Sequence, residues 1–179
     1  MFSKCEVLLR DWLTEEGADR VDIDYQAIHL TGRVRVWLTQ GGGRKSVHLP
    51  SEVDFELDEI RDTQVDPLRG AWLWSHFWME ASDGVLHQEC DWMREPIIGA
   101  RSRSNKDAAF ELDQFPRDPQ WVPEWMAVKA AAYHKEAERR ERRRQRDRER
   151  RARKKAEVAG AVEVTGEQSG SDASGRVDE

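Results

Sequence analysis

Cysteine is scarce in this chain, and no group of residues has the spacing of a metal-binding or catalytic motif. Cys5 and Cys90 are the only cysteines among 179 residues, and the five histidines include no His-x-x-x-His pair. These absences argue against a disulfide framework and a zinc site, so we expect two reduced, half-buried thiols. We expect no cofactor and no enzymatic activity, because a constellation of nucleophile, base and metal ligands is missing.

Long apolar runs are missing as well. No stretch approaches the roughly 20 apolar residues of a membrane-spanning helix, and the N-terminal segment lacks the apolar run of a signal peptide. We therefore expect a cytoplasmic protein without a membrane partner. Residues 1–126 are numerous enough to bury one hydrophobic core, which predicts a single domain followed by a tail.

Charge is abundant and is divided into three blocks. Residues 1–125 hold 14 Lys and Arg against 24 Asp and Glu, a net charge of −10. Residues 126–159 hold 14 against 6, a net charge of +8, and residues 160–179 hold 1 against 5, a net charge of −4. An acidic body favours a basic partner and disfavours direct contact with phosphates.

The basic block predicts a helix of its own. It contains strong helix formers without Gly or Pro until Gly160, and apolar residues almost vanish after Ala137. We therefore expect an Arg/Glu-rich, solvated helix over residues 127–158 that projects from the body. The last segment, 159–179, is rich in Gly, Ser and acids and is predicted to be disordered.

Hydrophobic periodicity predicts an α+β fold for the body, a small, mostly antiparallel sheet packed with two or three helices. Helical spacing indicates a helix over residues 4–16 and another that begins at Ser51 as N-cap and ends before Pro67. Ser3 and Glu6 have the pattern of a capping box, and Gly17 is placed to end the first helix in left-handed geometry. Alternation over residues 21–40 and a triple-glycine turn after it indicate strands.

A tryptophan-rich hairpin follows. Residues 71–80 place Trp72, Trp74, His76 and Trp78 on one face of a strand, and a return strand runs from Val85 to about Met93. The turn supports two registers. A three-residue loop with Gly84 as a bulge puts Leu86, Gln88, Cys90 and Trp92 on the tryptophan face. An Asp83-Gly84 type I′ turn instead puts His87, Glu89 and Asp91 there. We favour the bulge, because it gathers most large apolar residues into a core on the tryptophan face.

Residues 110–125 form a proline-rich strap. A short helix over residues 107–115 directs Phe110 inward, and Pro116, Pro119 and Pro123 then stiffen an extended segment. We interpret the strap as a structural clasp whose aromatic residues hold the chain on the sheet and whose Arg117 pairs with an acid. The aromatic residues are Phe115, Trp121 and Trp125.

The hairpin and the strap share a series of short motifs with a known family. The residues concerned are Trp72, Asp83-Gly84, Asp91-Trp92, Glu95-Pro96, Glu111-Leu112, Phe115-Pro116-Arg117 and Val122-Pro123-Glu124-Trp125. In this order they resemble the YezG-like family of bacterial immunity (antitoxin) proteins over residues 1–126, most specifically from Trp72 onward. Cys90, Trp92 and the charged tail depart from the family pattern.

The resemblance implies an immunity protein that binds and neutralises a cognate polymorphic toxin, commonly a nuclease. We expect the acidic body to block the basic cleft of such a nuclease by steric and charge effects. The expected partner-binding residues are Glu89, Asp91, Glu95 and Asp118, with Trp74 and Trp78 as exposed anchors. The residues expected to be structural are Trp72, Gly84, Phe115, Pro116, Arg117, Pro123 and Trp125.

The basic helix leaves a second interpretation open. Basic helices gain affinity for nucleic acid by releasing counterions, so the chain could be a nucleic-acid-associated accessory or regulatory protein. The acids Glu141, Asp147 and Glu149 lie among these arginines, as they do in solvated spacer helices. The arginines that would contact nucleic acid are Arg142, Arg143, Arg144, Arg146, Arg150 and Arg151.

Overall fold

The structure is a computed structural model that describes the backbone of residues 3–99 and 104–167 and the side chains of residues 4–99 and 104–156. The strands are β1 Arg20–Ile28, β2 Thr31–Gln40, β3 Gly43–Val47, β4 Trp74–Glu80 and β5 His87–Asp91. The helices are α1 Ser3–Glu16, α2 Ser51–Thr63, α3 Asn105–Gln114 and α4 Glu124–Glu167, with one turn of 3₁₀ helix at Pro119–Trp121. Within these residues the strands form one antiparallel sheet in the order β3-β2-β1-β4-β5. The predicted α+β class is confirmed.

Helices α1 and α2 cover one face of this sheet, which we call the inner face. Apolar residues at helical spacing face the sheet, among them Leu9 and Leu13 of α1 and Val53 and Leu57 of α2. The central strand β1 alternates apolar residues with polar ones from Val21 to Ala27, so the apolar side chains of this stretch enter this core. The β1 residues in the core are Val21, Ile23, Tyr25 and Ala27.

A second, smaller cluster lies at the end of β1. Ile28 packs there with Leu73, Ile98, Ala108 of α3 and Met126 of α4. This cluster brings α3 and the first turn of α4 against the sheet. The positions of both helices relative to the hairpin therefore depend on contacts between segments that are distant in sequence.

Two of the predicted helix ends are confirmed and one cap is wrong. Helix α1 ends at Glu16, and Gly17 follows with a φ of 61°. The second helix ends at Thr63, but its N-cap is Pro50, and the Ser51 side chain makes no capping hydrogen bond. The side chain of Ser3 lies outside the described residues, and the Glu6 carboxylate accepts from the Leu86 amide at 3.2 Å.

The preferred hairpin register is wrong. In the structure Trp78 lies opposite His87, His76 opposite Glu89, and Trp74 opposite Asp91. The tryptophan face of β4 therefore carries the polar residues of β5, as in the alternative register. Trp72 precedes the strand and lies in the core instead of sharing this face.

Neither short turn forms, because the connection between β4 and β5 is held by α1. Residues 81–86 link the strands, and the Gly84 amide donates to the Glu80 carbonyl at 2.9 Å. Arg10 of α1 donates to the Gly84 carbonyl at 3.0 Å, and Leu86 is buried in the inner core. The connection is therefore longer than either predicted turn, and it carries Leu86 into the core.

Helix α4 is continuous from Glu124 to Glu167 and extends beyond residue 158, where the charged helix was predicted to end. Residues 168–179 of the predicted disordered segment lie outside the described residues. Contacts divide the chain into a compact unit that ends at His134 and a second unit that begins at Lys135.

Candidate functional site

The outward face of the sheet, opposite α1 and α2, carries an unusual set of rings and charged groups. We call it the open face. The alternation that buries Ile23 and Phe77 turns the neighbouring side chains of β1 and β4 outward. The residues that form the open face are Asp22 and Asp24 of β1, Trp37 of β2, Trp74, His76 and Trp78 of β4, and His87, Glu89 and Asp91 of β5.

Three rings stack across β4 and β5. Trp78 lies between His76 and His87, with ring centroids 5.3 Å and 5.1 Å away and interplanar angles of 28° and 14°. The register places Trp78 directly opposite His87, and His76 lies two residues before Trp78 on the same face of β4. Flat stacking holds the indole in one orientation, and the side chain remains partly exposed. Trp78 is therefore a pre-oriented apolar surface for a partner.

Carboxylates surround the histidine at one end of the stack. His76 Nδ1 lies 2.8 Å from Asp24 Oδ1, and Nε2 lies 3.3 Å from Asp22 Oδ1. Arg20 holds Asp22 through two nitrogens at 2.7 Å and 2.9 Å and also pairs with Glu80. Burial disfavours the ionised Asp22, but the hydrogen bonds and charge of Arg20 outweigh burial and hold the pKa of Asp22 below its usual value.

Two further tryptophans of the open face are covered by arginines. The Arg44 guanidinium lies 4.6 Å from the ring centroid of Trp37, and that of Arg94 lies 4.1 Å from Trp74. Such cation–π contacts hold both partners at the surface. The open face thus combines fixed aromatic rings with arginines, two residue types that are enriched at protein interfaces.

Four of the six predicted partner-binding residues lie together on the open face. Glu89 is exposed, and Trp74 and Trp78 are partly exposed. Asp91 accepts hydrogen bonds from the amides of Met93 and Arg94 at 2.8 Å and 3.1 Å, so it also fixes the chain after β5.

The other two predicted partner-binding residues lie elsewhere. Glu95 pairs with Lys129 of α4. Asp118 lies in the strap, where its amide donates to the Leu68 carbonyl at 2.8 Å and it precedes the 3₁₀ turn. Sequence reasoning missed the contribution of Asp22, Asp24 and Trp37 to the open face. The strict alternation of acids in β1 was the available signal, but the neighbouring strands were unknown.

The residues predicted to be structural lie in the strap, in the hairpin and directly before it. Trp72 is fully buried and donates from Nε1 to Gln64 at 3.1 Å. Phe115 is buried beneath the guanidinium of Arg61, which lies 5.0 Å from its ring centroid. Trp125 donates from Nε1 to the Met93 carbonyl at 2.9 Å. Pro123 is buried, Pro116 is exposed, and Gly84 has a φ of 61°.

Arg117 is at the centre of the strap contacts. Its fully buried side chain donates to the carbonyls of Trp92 and Ala71 at 2.7 Å and 2.6 Å and lies 3.4 Å from the Glu111 carboxylate. Burial lowers the pKa of Arg117, and the charge of Glu111 opposes that change. Arg117 Nε is buried without a hydrogen-bond partner in the described residues. The strap also contains a 3₁₀ turn at Pro119–Trp121 and is not extended throughout.

The six arginines proposed for nucleic-acid contact all lie on α4 and are exposed. Arg142 lies 3.5 Å from Glu138, Arg144 lies 4.0 Å from Glu141, and Arg150 lies 3.9 Å from Asp147, each one turn along the helix. These exposed pairs stabilise a helix by a few tenths of a kcal/mol each, about 0.2–0.5 kcal/mol. They reduce the free positive charge of the helix without removing it.

Several kinds of site are not found among residues 4–99 and 104–156. No three His, Cys, Asp or Glu side chains are grouped to hold a metal ion there. Burial raises the pKa of Cys5 to about 12, and both cysteines are free thiols. No helix within the described residues is long and apolar enough to cross a membrane.

Comparison with protein-family models finds none that matches this chain, and comparison with curated proteins finds none with significant similarity. The open face and the strap are therefore interpreted from their own geometry.

Proposed function

We propose that this chain is an immunity protein that binds a protein toxin through the open face and neutralises it by blocking its active cleft. The observation that carries the proposal is the fixed Trp78, stacked between two histidines, with the exposed Glu89 opposite one of them, His76. A rigid aromatic ring loses little conformational entropy on binding, and tryptophan is enriched among the residues that dominate the affinity of protein interfaces. The resemblance of the hairpin and strap to YezG-like proteins supports the same function.

Charge supports a basic partner. The net charge of −10 over residues 1–125 would attract a protein whose surface is basic, and nucleases are commonly basic around the cleft that holds nucleic acid. On this proposal Glu89 provides an electrostatic contact and Trp74 and Trp78 provide apolar anchors. On this proposal inhibition requires no bond-making by this chain.

The test uses the full chain and the toxin domain that the proposal expects a neighbouring gene to encode. The variant Trp78→Ala with Glu89→Lys should weaken the complex by at least about 30-fold, because it removes an aromatic anchor and reverses a charge. Glu89 is preferable to Asp91 for this change, since Asp91 also holds two backbone amides. Affinity is measured by titration calorimetry, and protection is measured by growth during toxin expression.

The matched control is Glu15→Lys, which makes the same charge change at an exposed position of α1, on the other side of the sheet. It should change the affinity by less than about threefold, because a distant exposed charge contributes little. If both variants weakened toxin affinity equally, the open face would not be the binding surface. Unchanged growth protection by the open-face variant would refute binding through the open face, and absence of protection by the unaltered chain would refute the immunity function.

The alternative function is contact with nucleic acid through α4. The observation that favours it is the exposed basic stretch of α4, where residues 135–156 hold 13 Lys and Arg against 5 Asp and Glu, a net charge of +8. Its test is titration of the full chain against a short DNA duplex at several salt concentrations. Replacing the six arginines by glutamine should weaken binding and reduce its salt dependence, because it removes six of the 13 cationic side chains, and replacing them by lysine should retain both. Absence of binding by the unaltered chain excludes this function.

A further inference from the structure

A cleft of about 550 Å³ lies between α2 and the inner face of β2 and β3. It belongs to the side of the sheet opposite the open face, so it is separate from the site described above. Its floor consists of apolar side chains of the sheet, and its wall is formed by α2. The floor residues used below are Val34, Val36 and Val47, and the wall residues are Asp54, Asp58 and Asp62.

The floor is an apolar surface that the helices do not fully cover. Val34, Val47 and Leu49 pack against the edge of the core but remain partly exposed. Leu30, at the rim, is 83% exposed. Most of the exposed lining of the cleft is polar, so the free energy gained when an apolar side chain excludes water is confined to this valine patch.

The wall presents a row of carboxylates. Asp54, Asp58 and Asp62 are four residues apart, so they lie along one side of α2 at a spacing of about one helical turn, roughly 5–6 Å. Asp58 accepts a hydrogen bond from the hydroxyl of Tyr25 on the floor. Burial raises the pKa of Asp58, and the negative charge of Asp62 raises it further, while Arg61 opposes both. A cation placed between these carboxylates would relieve their repulsion.

The cationic group that also lines the cleft is already engaged. Arg61 is buried, and its Nη2 donates to both oxygens of Glu111 at 2.8 Å and 3.0 Å while its Nε donates to the Trp72 carbonyl at 3.0 Å. The imidazoles at the rim, His29 and His48, are the remaining basic side chains among the lining residues. The wall therefore keeps an excess of negative charge opposite an apolar floor.

We infer that this cleft binds a basic segment of a partner protein, with an apolar side chain on the valine floor and flanking Lys or Arg side chains against Asp54 and Asp62. Charge complementarity selects a basic occupant, and the apolar floor requires that the segment also carry an apolar residue. Helix α4 of a second copy fits less well, because its basic stretch has almost no apolar residues after Ala137. The inference is independent of the proposed toxin complex, since it concerns a different surface.

The probe is a blocked pentapeptide with a central leucine flanked on each side by two basic residues, titrated into the full chain labelled with ¹⁵N. Amide shifts should change around Thr31, Gly32 and Val47 at the cleft and remain constant at His76 and Trp78 of the open face. A peptide with alanine in place of leucine should bind at least about fivefold more weakly, because it leaves the floor uncovered. Shifts confined to the open face, or equal binding of the two peptides, would overturn the inference.

Charge variants on α2 provide the matched comparison. The double variant Asp54→Asn with Asp62→Asn removes two wall charges and should weaken peptide binding about tenfold or more. The control, Glu52→Gln with Glu59→Gln, removes the same charge from exposed positions of the same helix that do not line the cleft, and it should change binding by less than about threefold. Equal weakening by both double variants would show general attraction to an acidic helix and contradict a site.

A second copy as the occupant is tested by sedimentation of the unliganded chain. We expect the sedimentation coefficient to be independent of the Asp54 and Asp62 charges. Salt-sensitive self-association that disappears in the Asp54→Asn, Asp62→Asn variant would assign the cleft to a second copy and overturn the inference. The toxin-binding variant changes only residues of the open face, and the peptide-binding variants change only residues of α2. Either proposal can therefore fail while the other is still tested.

Discussion

The carboxylate of Glu111 and the guanidinium of Arg61 form a buried ion pair between α3 and α2. Arg61 Nη2 lies 2.8 Å and 3.0 Å from the two carboxylate oxygens, and the two side chains are 4% and 0% exposed. The His29 amide also donates to Glu111, and Arg117 of the strap lies 3.4 Å from it. One carboxylate thus connects the sheet, two helices and the strap.

Removing the Glu111 charge should destabilise the fold strongly. Glu111→Gln leaves Arg61 and Arg117 buried without their counter-ion, and breaking a buried pair in this way costs about 3–5 kcal/mol. The measurement is the free energy of unfolding from urea denaturation. Asp113→Asn, at an exposed position of the same helix, is the control and should remain within about 0.5 kcal/mol of the unaltered chain. A small effect at Glu111 would mean that the pair does not hold the strap.

Replacing Gly70 should loosen the strap through backbone strain and a steric clash. Gly70 has a φ of 70°, and an added Cβ would lie 2.9 Å from both the Arg117 Cγ and the Phe115 carbonyl oxygen. We expect Gly70→Ala to cost about 2–4 kcal/mol. Gly99 has a φ of 77° with nothing within 4 Å of an added Cβ, so Gly99→Ala should cost only the backbone term, about 1–2 kcal/mol. Thermal unfolding compares the two, and equal costs would exclude the clash.

Replacing Trp72 and Trp78, which are six residues apart, should affect different properties of the protein: stability at Trp72 and toxin binding at Trp78. Trp72 is fully buried, so Trp72→Ala should cost about 3–5 kcal/mol of stability. Trp78 lies on the open face and is partly exposed, so Trp78→Ala should cost less than about 1.5 kcal/mol. On the proposed function, Trp78→Ala should nevertheless weaken toxin binding by at least about 2 kcal/mol. Urea denaturation and calorimetric titration separate the two roles. A well-folded Trp78 variant with unchanged toxin affinity would contradict its role as an anchor.

Two aspartates should give stability changes of opposite sign with pH. Burial and Asp62 raise the pKa of Asp58 above 3.8, so the folded state binds more protons than the unfolded state just above that pH. The ionised Asp58 therefore lowers stability at neutral pH, and this cost disappears as the pH falls below 3.8. Asp58→Asn retains an acceptor for Tyr25, and we expect it to stabilise the protein at pH 7 but not at pH 3.

Asp22 is the matched case, because its pKa shifts in the opposite direction. Burial opposes ionisation of Asp22, but Arg20 outweighs burial and lowers the pKa. The ionised form therefore contributes stability above the unfolded pKa of 3.8, and this stability is lost as the pH falls through the lower pKa of the folded state. Asp22→Asn should destabilise the protein at pH 7, with a difference that shrinks in acid. Thermal unfolding across this range measures both variants, and changes of the same sign would contradict the assigned causes.

Much of the local structure could be predicted because it depends on neighbouring residues. Helix α1 and the strands of residues 20–40 follow from unambiguous periodicity, and Gly17 ends α1 in the left-handed geometry that glycine adopts readily. The expected pairing of Arg117 with an acid also corresponds to a contact in the structure, with Glu111. Burial of Glu111 could not be predicted, because its partner Arg61 lies on a different helix, 50 residues away.

The sequence by itself determined the element types, the acidic body and the basic helix that follows it, since these depend on local spacing and composition. Only the tertiary structure decided which face of β4 is open. Both faces of β4 carry large apolar side chains, so its own pattern is ambiguous. Pairing with β1 resolves it, because Ile23 lies beside Phe77 and Asp24 lies beside His76. Burying the acids of β1 in the apolar inner core, away from Arg20 and His76, would cost far more than leaving Trp78 partly exposed, and the tryptophan face therefore turns outward.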